Sequence, residues 1–331
     1  MIKPVFARGI LVCFVASLFC AYQLLIQGFP SIMVPELMEA FGLDVAGIGW
    51  LTSSFLYLFL IFHVPAGLVT DRVNLKWLLV VCSLLMSGTC YWFSVSELVW
   101  SAFLSRSLMG VIAAPGIITC LVLACRWMPE KCFPTMAGLV ESVTMVGGGL
   151  GPLLLPNILE ASGWQYTMKT VSWFGLVLAV LIICFVSNHP ASENKAEDRK
   201  VHANDVEDNR REPVFSKTAF IQCCLFGFGM FAIISSFGGL WGVPFLYELY
   251  PGQEEMVGDI IGTMFVGVAL GAPILGWLAT KFGSSAGVMV ASSILGTLFF
   301  TLLVFCPCSL MVLGIFCFFT GFFTGGYMLA F

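Results

Sequence analysis

Ten stretches of the sequence are apolar for about the 20 residues that an α-helix needs to cross a bilayer. They run approximately over residues 9–29, 46–70, 77–95, 100–125, 133–157, 166–187, 217–247, 257–280, 286–305 and 310–331. In hydrocarbon every backbone N–H and C=O must be satisfied within the protein, so a chain built this way is expected to fold as packed helices. Composition agrees: 59% of the residues are hydrophobic and 10% charged, whereas a soluble domain carries about 25% charge. Mean hydropathy is +0.97. The fold class expected is an all-α, multi-pass membrane protein with the lipid bilayer as its surroundings. The seventh stretch is too long for one straight crossing and is expected to break near Gly238, Gly239 and Pro244, or to run past the surface. The first lacks a small-residue cleavage site and reads as a span, not as a removed leader.

The positive residues fix an orientation, because cytoplasmic loops hold an excess of Lys and Arg. With the amino terminus cytoplasmic, thirteen of the fifteen fall in inner segments. The exceptions are Arg106, within a span, and Lys169, at the outer start of the sixth. Outer loops carry acids instead, among them Glu36, Glu39, Asp44 and Glu160. The net charge of −4 reflects these acids, and no basic patch points to nucleic acid. Residues 188–216 are polar, of mixed charge and poor in aromatics, as a cytoplasmic linker is. Nearly all thirteen cysteines sit inside apolar runs, where Cys acts as a small hydrophobe; only Cys306 and Cys308 lie near an outer loop. No His/Cys/Asp/Glu set has metal-ligand spacing, and no Gly-x-x-x-x-Gly-Lys-Ser/Thr phosphate loop occurs. Neither a metal, a cofactor nor ATP is therefore expected. No Ser-His-Asp set lies outside the spans, so an enzyme is the least supported reading.

Between the second and third stretches lies a charged turn, Gly67-Leu68-Val69-Thr70-Asp71-Arg72-Val73-Asn74-Leu75-Lys76. Its Gly permits close helix approach and its charges suit a membrane surface. The turn resembles the cytoplasmic loop after the second helix of the major facilitator superfamily, Gly-x-x-x-Asp-Arg/Lys-x-Gly-x-Arg/Lys, with Asn74 where a second Gly is common. A degraded copy begins at Gly276, 209 residues on (276 minus 67), with Thr280 aligned to Asp71 and Lys281 to Arg72. Further resemblances are Arg106 four residues before Gly110 in the fourth span, and Gly147-Gly148-Gly149-Leu150-Gly151-Pro152 in the fifth. Others are Arg126–Lys131, Ala137-Gly138-Leu139 and Gly163-Trp164-Gln165. The texture is similar to bacterial nutrient permeases and the lysosomal dipeptide transporter branch.

The resemblance implies a bundle of two pseudo-repeated halves: residues 1–187 with six helices, the linker 188–216, and 217–331 with four. Since such proteins have twelve helices, this reading expects two to be missing, an apolar groove in the second half, and poor gating. Gly67, Asp71, Arg72, Lys76, Gly147, Gly151, Pro152, Gly276 and Lys281 would form the gating elements. The Gly147–Pro152 run is expected at the seam with the eleventh helix.

A charge inside a span is costly and normally faces a cavity or a partner. By rise per residue Arg106 lies roughly 9 Å below the outer end; a substrate site and the capping of neighbouring carbonyls both suit it. Aligning Gly110 with Gly321 sets Cys317 opposite it. Glu141 lies about 12 Å from the inner surface and is either a proton carrier or a structural acid bonded to Ser or Thr neighbours. His63 is either a second proton-coupling candidate or a satisfied interior histidine. In the resembled superfamily the first, fourth, seventh and tenth helices line the central cavity. This makes Tyr22, Gln23, Gln27, Ser235, Ser236, Thr320, Thr324 and Tyr327 candidate lining groups, although such residues also serve as interhelical contacts.

The function implied is secondary active or facilitative transport of a small polar or anionic organic solute by alternating access. Amino acids, dipeptides, sugar phosphates and organic anions are the substrate classes, with protons as a possible partner. The location implied is a bacterial inner membrane or a plasma membrane. The alternative is a sensor or scaffold that keeps the fold without transport. The orientation is tested by placing one cysteine at Asn204 in a cysteine-free background. An impermeant maleimide should leave intact cells unlabelled and react after permeabilisation; labelling from outside would reverse the topology.

Overall fold

The computed structural model describes residues 2–189, 216–251, 253–306 and 308–330, and all regular structure among them is helical. Nine of these helices are long and apolar enough to cross a membrane. Along α3 (Val45–Arg72), Leu60, Ile61, Val64 and Leu68 are all exposed. An apolar face of this kind has no place in water and belongs against lipid. The chain is an integral, multi-pass membrane protein.

The first unit comprises Met1–Cys125 and Val143–Asn188. It holds α1 (Ile2–Gly28), the short α2 (Val34–Phe41), α3, α4 (Leu75–Ser94), α5 (Val99–Ala113) and most of α6 (Gly116–Trp127). Helix ends are set by local chemistry. Gly42 closes α2 in the left-handed region at φ 61°, and Asp44 opens α3 by accepting from the Gly47 N–H at 2.8 Å. The fourth span, expected to be continuous, is interrupted: Pro115 lacks the N–H a helix needs, and Ala114 falls back on a three-residue bond to the Val111 carbonyl at 3.3 Å.

α7 (Phe133–Phe185) runs for 53 residues, about 80 Å if straight against a hydrocarbon core of about 30 Å. It is two arms, parted at Gly163, whose φ of 77° and ψ of 169° are not helical and suit a residue without a Cβ. The expected fifth and sixth spans are these arms. Both flank the same stretch of α1, Gly147 against Ala21 and Val171 against Tyr22.

The second unit comprises Arg126–Ser142 and His189–Phe331. It holds the start of α7, then α8 (Lys217–Ala232), a π-helical stretch Ile233–Trp241, α9 (Gly242–Leu249), α10 (Glu254–Phe282), α11 (Ser285–Phe305), α12 (Leu310–Thr324) and a 3₁₀ segment Gly325–Ala330. The overlong seventh span does not break at Gly238 and Gly239; it stays helical from Lys217 to Leu249 and widens into π-helix over Ile233–Trp241. All but the margins of the expected linker, 190–215, lies outside the described residues.

Each unit contains one tight helix pair made the same way. A Cβ on Gly110 of α5 would overlap the Phe55 carbonyl of α3, and one on Gly321 of α12 would overlap the Met264 carbonyl of α10. Met264 follows Phe55 by 209 residues (264 minus 55), the offset between the two charged turns, and Gly321 follows Gly110 by 211 (321 minus 110), a shift of two residues between the helices. The internal repeat is thus built into the packing. Gly110→Ala or Gly321→Ala should destabilise by about 1–3 kcal/mol through overpacking. Gly88→Ala, where no atom lies within 4 Å of the added methyl, should be neutral or slightly stabilising. Thermal melting in detergent distinguishes the three.

Candidate functional site

Arg106 is the largest side chain wholly removed from solvent, and the reason lies in the α1 terminus. A helical carbonyl bonds the N–H four residues on, or three on in a tightened last turn. For Ile26 the residue four on is Pro30, which has no N–H, and for Gln27 the same proline stands three on. Arg106 reaches both: Nη1 donates to the Ile26 carbonyl and Nη2 to the Gln27 carbonyl, each at 2.6 Å. The guanidinium carbon lies 4.8 Å from the ring centres of both Phe29 and Phe55. Burying a cation costs several kcal/mol. Two charge-assisted bonds of about 1.5–3 kcal/mol each and two desolvated aromatic faces offset a penalty of that size. The Nε hydrogen has no acceptor, the oxygen partners are two carbonyls, and Met109 Sδ lies 4.0 Å from Nη1, so among the described residues the charge is held without a carboxylate.

The other first-unit candidates gather along α1. Tyr22 is buried and donates to the Val171 carbonyl at 3.0 Å, with Cys90 Sγ 3.8 Å away. Gln23 is buried beside Gly116, its Oε1 unpartnered, while Gln27 is half-buried and meets Arg106 through its backbone. His63 is half-buried on α3, tilted against Phe59 at 5.0 Å, its Nδ1 unpartnered. Gly147 abuts the Ala21 backbone and Gly148 the Leu24 side chain, so this part of α7 seats on α1. The helix continues through Gly151 and Pro152.

At the charged turn Asn74 replaces the common Gly for a visible reason. Its side chain opens α4, accepting from the Trp77 N–H at 3.2 Å. Lys76 donates through its backbone to Asn188 Oδ1 at 2.9 Å and through Nζ to the Ile183 carbonyl at 2.6 Å, tying the turn to the end of α7. Asp71 and Arg72 are exposed, and Gly67 lies near Ile118. In the second copy Gly283 stands at the Asn74 position (283 minus 74 is again 209), with φ 64°. There the capping falls to Ser284, whose hydroxyl accepts from the Gly287 N–H at 3.1 Å. Lys281 lies over the Trp277 ring at 4.8 Å.

In the second unit Glu141 is buried in α7. Its partner is the hydroxyl of Tyr327 in the 3₁₀ segment, where sequence pointed to Ser or Thr, and its Oε1 has none. A bare buried carboxylate costs several kcal/mol; a neutral carboxyl with one idle oxygen costs about 1–3 kcal/mol. Thr320 is buried with an idle hydroxyl, and Thr324 donates to the Thr320 carbonyl at 2.9 Å. Ser235 and Ser236 are exposed and bonded back to their own helix. Cys317, the repeat position of Arg106, is buried. The thiols of Cys306 and Cys308 stand 3.2 Å apart.

Sequence reasoning missed the contact of the first α7 arm with α10. A Cβ on Gly138 would strike Ala272 and Pro273, one on Gly276 would strike the Pro134 backbone, and Ser142 donates to the Ala269 carbonyl at 2.5 Å. The small-residue spacing Gly138-x-x-x-Ser142 is a signal that could have found it. Arg106 and Glu141 belong to different units.

The sequence profile of the Major Facilitator Superfamily matches residues 12–250. Protein spinster homolog 1 of Xenopus laevis is 27% identical over 232 residues, 65% of this chain and 41% of that protein. A probable galactarate/D-glucarate transporter of Escherichia coli is 23% identical over 307 residues, 83% of this chain and 68% of its own length. The chain thus spans less than half of the first relative. Among solved structures, a bacterial homolog of the human lysosomal transporter Spinster, in an inward-facing and unoccupied conformation, matches with a TM-score of 0.59 at 16% identity. That match covers 99% of this chain and 74% of that one. With the profile covering well over half of the sequence, the chain belongs to the Major Facilitator Superfamily.

Proposed function

We propose that the protein moves a small organic anion across a membrane by alternating access, as a secondary active or facilitative transporter and not as an enzyme. The observation that carries this reading is Arg106, a cation buried in a span and held by backbone carbonyls instead of a carboxylate. An anionic substrate is the partner such a group lacks, and a guanidinium offers it a planar pair of donors. The relative named for galactarate and D-glucarate supports sugar diacids as first substrates to try. Ile26 and Gln27 would lose their donors when an anion takes them, so binding and rearrangement of the α1 end become one event. Tyr22, Gln23, Gln27, Ser235, Ser236, Thr320, Thr324 and Tyr327 are the proposed lining groups. His63 and Glu141 are the proposed proton-coupling groups. The charged turn with Gly67, Asp71, Arg72 and Lys76, its copy at Gly276 and Lys281, and Gly147, Gly151 and Pro152 are the proposed gating elements. The two pseudo-repeated halves are joined by the 188–216 linker. The amino terminus is placed in the cytoplasm of a bacterial cell or beneath a plasma membrane, on the Lys and Arg distribution.

Purified protein in liposomes should accumulate isotopically labelled D-glucarate or galactarate. Arg106→Lys should stay inserted and folded yet lose roughly 10- to 100-fold in uptake, since one ammonium replaces two fixed donors worth about 1.5–3 kcal/mol each. Arg106→Ala should abolish uptake and lower the melting temperature by orphaning two carbonyls. Undiminished uptake by either variant would reduce Arg106 to a helix cap. Saturable binding of these diacids with no uptake would favour the sensor.

A further inference from the structure

Among the second unit's buried groups, Glu141 sits at an unusual place in the chain. One residue later, at Ser142, its unit ends, and α7 continues at Val143 as part of the first. The carboxyl faces Tyr327, which lies on the 3₁₀ segment Gly325–Ala330, a tighter winding that follows α12 directly. Short 3₁₀ stretches at helix ends are places where backbone geometry changes readily. Tyr327 is itself fixed at a ring distance of 5.5 Å from Phe231 of α8. The segment is seated closely, since a Cβ on Gly325 would meet the Ala272 backbone of α10 at 2.8 Å.

Among the described residues the surroundings offer Glu141 no countercharge. From the 3₁₀ segment the titratable group facing it is Tyr327. From α10, the residues against this arm of α7 are Ala269, Ala272 and Pro273. The ionisable residues of α10 are distant along the helix: Asp259 about 15 Å from Ala269, and Lys281 about 12 Å from Pro273, at 1.5 Å per residue. One carboxyl oxygen is engaged by the phenol and the other is idle. An unpaired carboxylate is among the costliest groups a protein can bury in a membrane, and a neutral acid with a hydrogen-bonded carbonyl oxygen is a tolerable one.

We propose that Glu141 and Tyr327 form a proton-held latch. In the conformation described here the carboxyl is neutral and its oxygen accepts from the Tyr327 hydroxyl, fastening the first arm of α7 to the segment after α12. When water reaches the site, the carboxyl gives its proton to water and becomes a carboxylate. The phenol keeps its own proton throughout. The charged form is not tolerated in the closed site, so the arm and the segment separate. Proton release and the change of conformation are then one step. This rests on the transporter reading for its use, but its chemistry belongs to the protein alone.

Infrared difference spectroscopy on the purified protein in lipid reads the latch without any substrate. Wild type at neutral pH should show the C=O stretch of a protonated carboxyl, and Glu141→Gln should lack it. Tyr327→Phe should keep the band but move it to higher frequency, because a hydrogen bond to the carbonyl oxygen is lost. Raising the pH should remove the band and, in parallel, speed the labelling of a single cysteine placed at Thr135. An identical carboxyl band in Glu141→Gln would overturn the proposal, and so would an unmoved band in Tyr327→Phe. Should Glu141→Gln fail to fold, the Tyr327→Phe shift decides alone. Absence of D-glucarate uptake by wild type would remove the substrate reading and leave the spectroscopic outcome standing.

Discussion

The constraint on which the structure depends is that a backbone carbonyl within a membrane must find a donor inside the protein. Helices meet it along their length and fail at their ends. The informative places are therefore those where a helix stops, kinks or rewinds among other helices. At the end of α1, Pro30 removes the donor four residues after Ile26 and three after Gln27, and Arg106 of α5 reaches across to both carbonyls. A cation near a helix carboxyl end also meets the negative pole of the helix dipole. An otherwise costly buried charge 76 residues after Pro30 (106 minus 30) thereby finds its two acceptors.

Packing follows from the same absence of water. Lipid tails are as apolar as leucine, so helices gain little by burying hydrophobic side chains against each other and associate through close backbone approach. That explains why the tight pairs α3 with α5 and α10 with α12 are built on Gly110 and Gly321 meeting carbonyls, while Leu60 and Val64 face outward. The phenylalanines of the second unit, Phe299 with Phe319 and Phe323, stack on one another and form packing surface.

Much of this was legible in the sequence, because span length, charge asymmetry and the spacing of the two turns are one-dimensional signals. An irregularity around Gly238 and the buried positions of Arg106 and Glu141 were legible for the same reason. What escaped was pairing. No pattern told that Asn74 caps α4, that Asn188 and Ile183 receive Lys76, or that Glu141 meets Tyr327, 186 residues away (327 minus 141). The Gly147 run has the composition of a seam, but residue type does not say which neighbour a small residue admits. It admits α1, and the approach to α10 belongs to Gly138 earlier in the same arm. Pro115 was visible and its effect on the fourth span is elementary, yet span length alone conceals an interruption that takes only two residues.

The repeat shows which features a duplicated fold keeps. The backbone contacts are copied, with Phe55 and Met264 carbonyls facing Gly110 and Gly321, since any replacement of those glycines would push the helices apart. The caps after the two turns are kept as a function and changed as residues, Asn74 in one and Gly283 with Ser284 in the other, because several side chains satisfy the same N–H. Of the charges, only that of Arg72 is copied, as Lys281; Arg106 corresponds to Cys317 in the repeat, and Asp71 to Thr280. A charge inside a membrane is retained only where a specific partner offsets its burial, and Arg106 has its partners through Pro30. Residue 239 (30 plus 209) is a glycine, which keeps its N–H and asks no arginine to replace it.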